Sequence, residues 1–295
     1  MLHNLAQPEL GAFALQIQRP AWIGDAPQSP KSAHELTCSG IGPNEVPIHA
    51  RRDGFIIFDF PASTSFAGGA VPPYIPEPGK KIPGVISEAR RQREALGYRR
   101  FEYMNAFLGA LYSGYSTVQK TGTMVQEPAH PTNYWYAEKQ DGTFKIYGQS
   151  AIDPITTHRS ILETATVDHA VELMNKCFET FENQTITLLS LVYLSCHLYR
   201  NHQFASAHLI AWGVIEKQIN FMWEELLKTL DLENGGHTAI SRERKKLFAG
   251  RDYTASVICQ MLSLHNRITD DMLERLNDAR KRRNEFAHSL AAISA

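Results

Sequence analysis

Near the end of this sequence, Arg283-Asn284-Glu285-Phe286-Ala287-His288 brings a guanidinium, an amide and an imidazole into one short segment. The imidazole titrates near neutral pH and so suits proton transfer, while the guanidinium offers a planar fork that matches a phosphate. Metal-free RNA cleavage needs these parts: a base for the 2′-hydroxyl, a cation for the crowded phosphorane, and an acid for the departing 5′-oxygen. One helix supplies too few such groups. Two copies facing each other across a twofold axis supply two histidines and two arginines around one phosphate, so the chemistry points to a homodimer.

The helix that carries these residues is expected over Asp270 to about Ala292. Its apolar stripe reads Met272, Leu276, Ala279, Phe286 and Leu290, with Arg283 at the position that completes the spacing. An arginine on an apolar stripe needs a buried carboxylate or a reserved anion, because a desolvated guanidinium without one is costly. Glu216, flanked by Val214, Ile215 and Ile219, is the candidate carboxylate. Asn284 and His288 lie four apart and share a face, so the amide can set the imidazole tautomer. Lys281 and Arg282 are candidate supporting cations; the bland account has Lys281, Arg282 and Arg283 favour the helix C-terminal dipole and His288 cap it. That account explains the charges but not the place of Arg283 on the stripe.

The same string resembles the Arg-x4-6-His motif of the HEPN superfamily, with a polar residue directly after the arginine. The run Leu273 to Arg282 is similar to the lead-in of such helices, and Ala207 to Leu227, with Trp212, Glu216 and Trp223, is similar to the family's long central helix. The resemblance covers about Val167 to Ala295 and does not extend to the N-terminal half. It implies a metal-independent endoribonuclease, with no cofactor, that acts as a bacterial toxin or anti-phage defence effector. It also implies Arg283 on phosphate, His288 in proton transfer, Asn284 as its orienter, and an antitoxin or regulatory partner. In one respect the chain departs from the family: where toxins of this kind paired with a nucleotidyltransferase carry a modified tyrosine two residues after the histidine, it has Leu290, which argues against control by modification there. The alternatives are a non-catalytic HEPN module that binds RNA, nucleotide or a protein partner, and a plain helical interaction protein.

Other chemistries lack their residues. There is no His-Glu-x-x-His, no Walker-type phosphate loop, no Gly-x-Ser-x-Gly and no dinucleotide fingerprint. Phe66-Ala67-Gly68-Gly69-Ala70 sits among prolines and reads as a turn. Cys38, Cys177, Cys196 and Cys259 form no Cys-x-x-Cys pair, so neither a zinc site nor a disulfide framework is expected, and a reducing cytoplasm fits. His197, His202 and His208 read as satisfied core or boundary histidines.

The elements that must position the motif are helical. Helices are expected over Val167–Phe181, Thr185–Arg200, Gln203–Leu232 and Thr254–His265, ahead of the last one, and four or five antiparallel helices with short links make a bundle. In the longest, Phe204, Ala211, Ile215, Ile219, Met222, Leu226 and Leu230 form the core stripe. Asn234-Gly235-Gly236 ends it and Ser241 to Lys246 follows as a polar connector. The run Ile186 to Tyr199 is too short and too polar for a membrane span, which needs roughly 20 apolar residues. The N-terminus carries no basic region followed by an apolar one, so no secretory signal is expected.

The first part of the chain has a different grammar. Eleven prolines between Pro20 and Pro83 exclude long helices there, and Phe13–Ile17 and Phe55–Phe60 read as short strands. A long helix or two abutting ones follow over Ile86–Val118, with Arg90, Arg91, Arg93, Arg99 and Arg100 in the first half; a solvated face is favoured over an RNA-tracking surface for that cluster. Tyr134-Trp135-Tyr136 and Phe144-Lys145-Ile146-Tyr147 flank Asp141-Gly142 as a hairpin whose aromatics are expected in the core rather than stacked on bases. Across 295 residues, 43% apolar content and a net charge of -1 suit two modest domains and argue against coating nucleic acid through bulk charge. The expectation is a mainly α, overall α+β protein with an N-terminal mixed region over 1–155 and a HEPN-like four- or five-helix bundle over 160–295.

Overall fold

The computed structural model describes residues 12–17, 21–29, 31–61, 83–118, 127–129, 134–140, 142–146, 160–182, 184–233, 243 and 254–293. Side chains are described for these except residues 21, 83–96, 136, 140, 231–233 and 287–293. Asn234-Gly235-Gly236, most of Ser241 to Lys246 and the Phe66–Ala70 loop lie outside the described residues, as do the side chains of Arg90, Arg91, Arg93, His288 and Leu290.

The chain is mixed α and β. Strands β1 (Ala12–Gln16), β2 (Ala21–Ile23), β3 (Leu36–Gly42), β4 (Val46–Arg51) and β5 (Phe55–Phe58) precede the long helix α1 (Pro83–Thr117). Strands β6 (Trp135–Gln140), β7 (Thr143–Ile146) and β8 (Ser160–Leu162) lead into α2 (Thr164–Phe181), α3 (Gln184–Arg200), α4 (Phe204–Glu233), α5 (Ala255–Leu264) and α6 (Asp270–Ile293). No helix among the described residues is long and apolar enough to cross a membrane.

Residues 1–197 form one compact unit and 198–295 a second. In the first, six strands pair antiparallel in the order β3-β4-β5-β1-β6-β7, while β2 and β8 form a separate parallel pair. Alternation along β1 and β5 divides the side chains between two faces. Phe13, Leu15, Ile56 and Phe58 join α1 through Tyr103, Met104, Phe107 and Leu111, and the opposite face gathers Ala12, Ala14, Phe55, Ile57, Ala137, Phe144 and Ile146. That second face is covered because the sheet curls on itself. Arg51 on β4 donates through Nη1 to the Phe144 carbonyl on β7 at 2.9 Å, although three strands separate them in the sheet order. Arg51 is otherwise matched by Asp53 at 2.6 and 2.7 Å, so its buried charge is compensated.

The described aromatics of the hairpin pack on the core, as expected: Phe144 is buried, Tyr134 stacks on Phe13 with centroids 5.0 Å apart, and Trp135 meets Phe55 edge-on, while the Tyr136 side chain and Tyr147 lie outside the described residues. Gly142 takes the positive φ of 79° that the turn needs. One arginine of the α1 cluster departs from the expected solvated face. Arg99 is exposed, whereas Arg100 is buried with its guanidinium 4.9 Å from the Phe13 ring centroid and 5.5 Å from that of Phe60, where aromatic faces offset part of its desolvation.

The division between the units corrects the expected boundary at 155–160. Val167, Ala170 and Met174 of α2 and Ile186 and Tyr193 of α3 belong to the core built by the sheet and α1. Gly109 lets α3 approach α1 so closely that a methyl on it would run into the Leu189 carbonyl oxygen. The second unit accordingly holds α4, α5 and α6 among its described residues, not the whole of the bundle expected over 160–295. Its core is Ile219, Trp223 and Leu226 from α4, Ile258, Cys259 and Leu262 from α5, Ile268 from the link before α6, and Leu276 within α6. Phe204, counted in the expected α4 stripe, is 47% exposed, and Ala207 is buried near that end instead.

Candidate functional site on the last helix

Helix α6 starts where its sequence says it should. The Thr269 hydroxyl accepts from the Met272 amide at 3.2 Å, and Asp270 and Asp271 occupy the first turn, where carboxylates complement the helix dipole. Ser263 donates to Asp270 at 3.1 Å, tying the start of α6 to the end of α5. From there the helix runs unbroken to Ile293, so the backbones of Arg283, Asn284 and His288 share one helix as expected.

Burial fixes the phase of that helix. Leu276 is buried; Leu273, Ala279, Arg280, Arg283, Asn284 and Phe286 are partly buried; Met272, Arg275, Asp278, Lys281, Arg282 and Glu285 are exposed. The packed stripe therefore begins at Leu273, not at Met272, which is 47% exposed. The correction leaves Arg283 on the packed side and adds Arg280, because Leu273, Leu276, Arg280 and Arg283 follow the three-four alternation of one helix face. Lys281 and Arg282 point the other way, and Lys281 pairs with Asp278 at 3.6 Å.

Charge compensation differs between the two sides. On the exposed side Arg275 meets Asp271 at 3.1 Å and Lys281 meets Asp278. On the packed side the Arg283 Nη1 donates to Asn284 Oδ1 at 3.1 Å, a neutral acceptor, and among the described residues no carboxylate reaches it. Glu216, the expected partner, forms no ion pair with it. The Arg280 Nε is buried without a hydrogen-bond partner among the described residues. Its charge is felt at Cys259 on α5, whose thiol burial pushes up and Arg280 partly restrains.

Asn284 was expected to orient His288. With its oxygen engaged by Arg283, the N–H groups of its amide nitrogen remain as the donors it can offer an imidazole. One contact that the sequence did not reveal anchors the site from α4: His208 Nε2 lies 2.8 Å from the Ala279 carbonyl, and its ring meets Phe286 edge-on with centroids 5.6 Å apart. Since a carbonyl only accepts, Nε2 carries the proton. The expected reading of His208 as a satisfied boundary histidine fits this bond.

The first unit holds a second polar pair that sequence reasoning missed. Ser39 Oγ and His49 Nδ1, directly opposite on β3 and β4, are 2.8 Å apart, and His49 Nε2 is buried without a partner among the described residues. Burial lowers the pKa of this imidazole, with Asp59 opposing the shift and Lys139 adding to it. Among the described residues no cluster of three or more His, Cys, Asp or Glu side chains is placed to hold a metal ion.

Compared with known proteins, the chain matches no protein family, no curated protein and no solved structure.

Proposed function

We propose that the helices of the second unit form an endoribonuclease of HEPN type, which cleaves RNA by 2′-hydroxyl attack and acts as a homodimer. The observation that carries this reading is the half-buried Arg283 guanidinium, met by the neutral Asn284 oxygen and by no carboxylate among the described residues. A desolvated cation of that kind is stable when an anion completes it, and a phosphodiester fits its planar fork. His288, on the same helix one turn beyond Asn284, takes the proton from the 2′-hydroxyl. The 2′-oxygen then bonds to phosphorus, the bond to the 5′-oxygen breaks, and that oxygen leaves with a proton delivered by an acid, which the second copy supplies. The products are a 2′,3′-cyclic phosphate and a free 5′-hydroxyl.

The reading rests on α4, α5 and α6 rather than on all of residues 160–295. The resemblance of the Arg283-to-His288 string to the HEPN motif supplies the biological setting: a bacterial toxin or anti-phage effector that halts growth by degrading RNA, under an antitoxin or regulatory partner. The first unit then senses a trigger or restrains the nuclease.

Induced expression in bacteria tests this. Growth arrest is expected from the wild type and relief from Arg283→Ala or His288→Ala at equal protein levels. Equal toxicity of all three, or RNA that is bound and never cut, would remove the catalytic assignment.

A further inference from the structure

The charge that α6 leaves uncompensated is larger than the motif requires. Arg280 stands one turn before Arg283 on the same packed face, about 4.5 Å along the axis at the usual rise. Its Nε is buried and finds no partner among the described residues, whereas Arg275 and Lys281 on the outer face each have a carboxylate. Elsewhere in the chain Arg51 is matched by Asp53 and the Phe144 carbonyl. The Arg100 Nε and Arg200 Nη2 atoms are also buried without a hydrogen bond among the described residues, but the Arg100 guanidinium lies over two aromatic faces. Neither residue has a second arginine one turn away on the same packed face of its helix, as Arg280 has in Arg283. Two neighbouring guanidinia on one face, one held by a neutral amide and the other unmatched at Nε, destabilise the free protein unless an anion completes them.

We propose that Arg280 is a second phosphate contact, so that α6 holds the backbone of single-stranded RNA through Arg280 and Arg283 together. The inference rests on the ribonuclease reading for the identity of the anion. It explains why charge is retained at a position where Met or Leu would continue the stripe set by Leu273 and Leu276. Phosphate contacts fix register without reading sequence, so Arg280 contributes to affinity for any single strand and sets where along it Arg283 and His288 act.

The test uses the full chain with His288→Ala, so that a fluorescein-labelled oligouridylate stays intact in EDTA. Binding is followed by anisotropy across a salt series, and melting is recorded without RNA. Arg280→Met is expected to weaken binding about tenfold, the scale of one charge-assisted contact. It should also make the log-log salt dependence shallower by about 0.7, the single-strand value per phosphate contact. Arg275→Met, which removes an equal charge from the outer face, should leave the slope alone. Without RNA, Arg280→Met should melt at or above the parent temperature, since an uncompensated charge has gone.

Arg280→Lys and Arg280→Gln separate contact from scaffold: the slope should follow the charge, with Lys near the parent and Gln near Met. A slope indifferent to charge at this position, or an oligouridylate that the parent does not bind, would overturn the proposal. Cleavage by the His288 protein is measured alongside. Arg280-dependent binding in a protein that cuts nothing removes the ribonuclease reading and keeps this contact. RNA cut by Arg280→Met with unchanged KM removes the contact and keeps that reading.

Discussion

His208 on α4 donates through Nε2 to the Ala279 carbonyl on α6 at 2.8 Å, one helical turn before Arg283. The same carbonyl closes the helical bond to the Arg283 amide under the usual pattern, so one oxygen joins α4 to the turn that presents the arginine. His208 also covers Phe286 with its ring. The helix that carries Arg283 is thus held in rotation as well as in position, which matters for the proposed phosphate contact because such chemistry tolerates little misplacement.

Replacing His208 with Ala removes that bond and the ring contact. The expected loss is about 1–2 kcal/mol in urea unfolding of the second unit. RNA cleavage should fall more than stability alone explains. A variant as stable and as active as the wild type would show that the bond does not position α6.

Gly109→Ala gives the sign of a close approach. In an exposed helix the change would stabilise by about 1 kcal/mol, but here the new methyl would meet the Leu189 carbonyl oxygen on α3. Relief requires the helices to part, so a net loss of about 1–3 kcal/mol is expected by thermal or urea unfolding. A stabilised variant would contradict the packing of α3 on α1.

The Ser39–His49 pair makes the sheet acid-sensitive. Burial, the largest cause, depresses the His49 pKa below the ordinary imidazole value of about 6.5. The unfolded chain therefore takes up a proton first as pH falls, and the folded state loses stability from about 6.5 down to its own lower value. Hydrogen exchange of β4 should quicken as pH drops from about 7.5 to about 5, after correction for intrinsic rates, and His49→Gln should remove that part of the change. A wild type that gains stability relative to the variant as pH falls would mean the opposite shift.

Much of the helical half was legible because amphipathic spacing is a local signal: each expected helix from Val167 onward is present, with ends moved by three residues or fewer. The hairpin was legible for the same reason, through Gly142 and its flanking aromatics. Strands β3 and β4 were not singled out, since Thr37, Ser39, Gly40 and His49 interrupt their apolar pattern and their partners are chosen by pairing along the sheet. The boundary was misplaced for a physical reason. The apolar faces of α2 and α3 would suit a bundle equally well, and only the core shared with α1 shows which neighbour they take. At the site, Arg283 was found by its place on the stripe, and Arg280 was missed because the stripe was phased on Met272 instead of Leu273.

The composite site predicts association. Light scattering at micromolar concentration should give a mass near twice 33.2 kDa. A monomer under conditions where RNA is cut would remove the argument that two copies share one phosphate.

The most direct measurement of the central claim is the chemistry of the RNA ends. Purified protein is incubated with RNA in EDTA and the fragments are analysed by mass spectrometry. The account predicts 2′,3′-cyclic phosphate and 5′-hydroxyl ends, with Arg283→Ala and His288→Ala each lowering the rate by at least about a hundredfold. Fragments ending in 5′-phosphate, intact RNA from the wild-type dimer, or equal cutting by His288→Ala would contradict it.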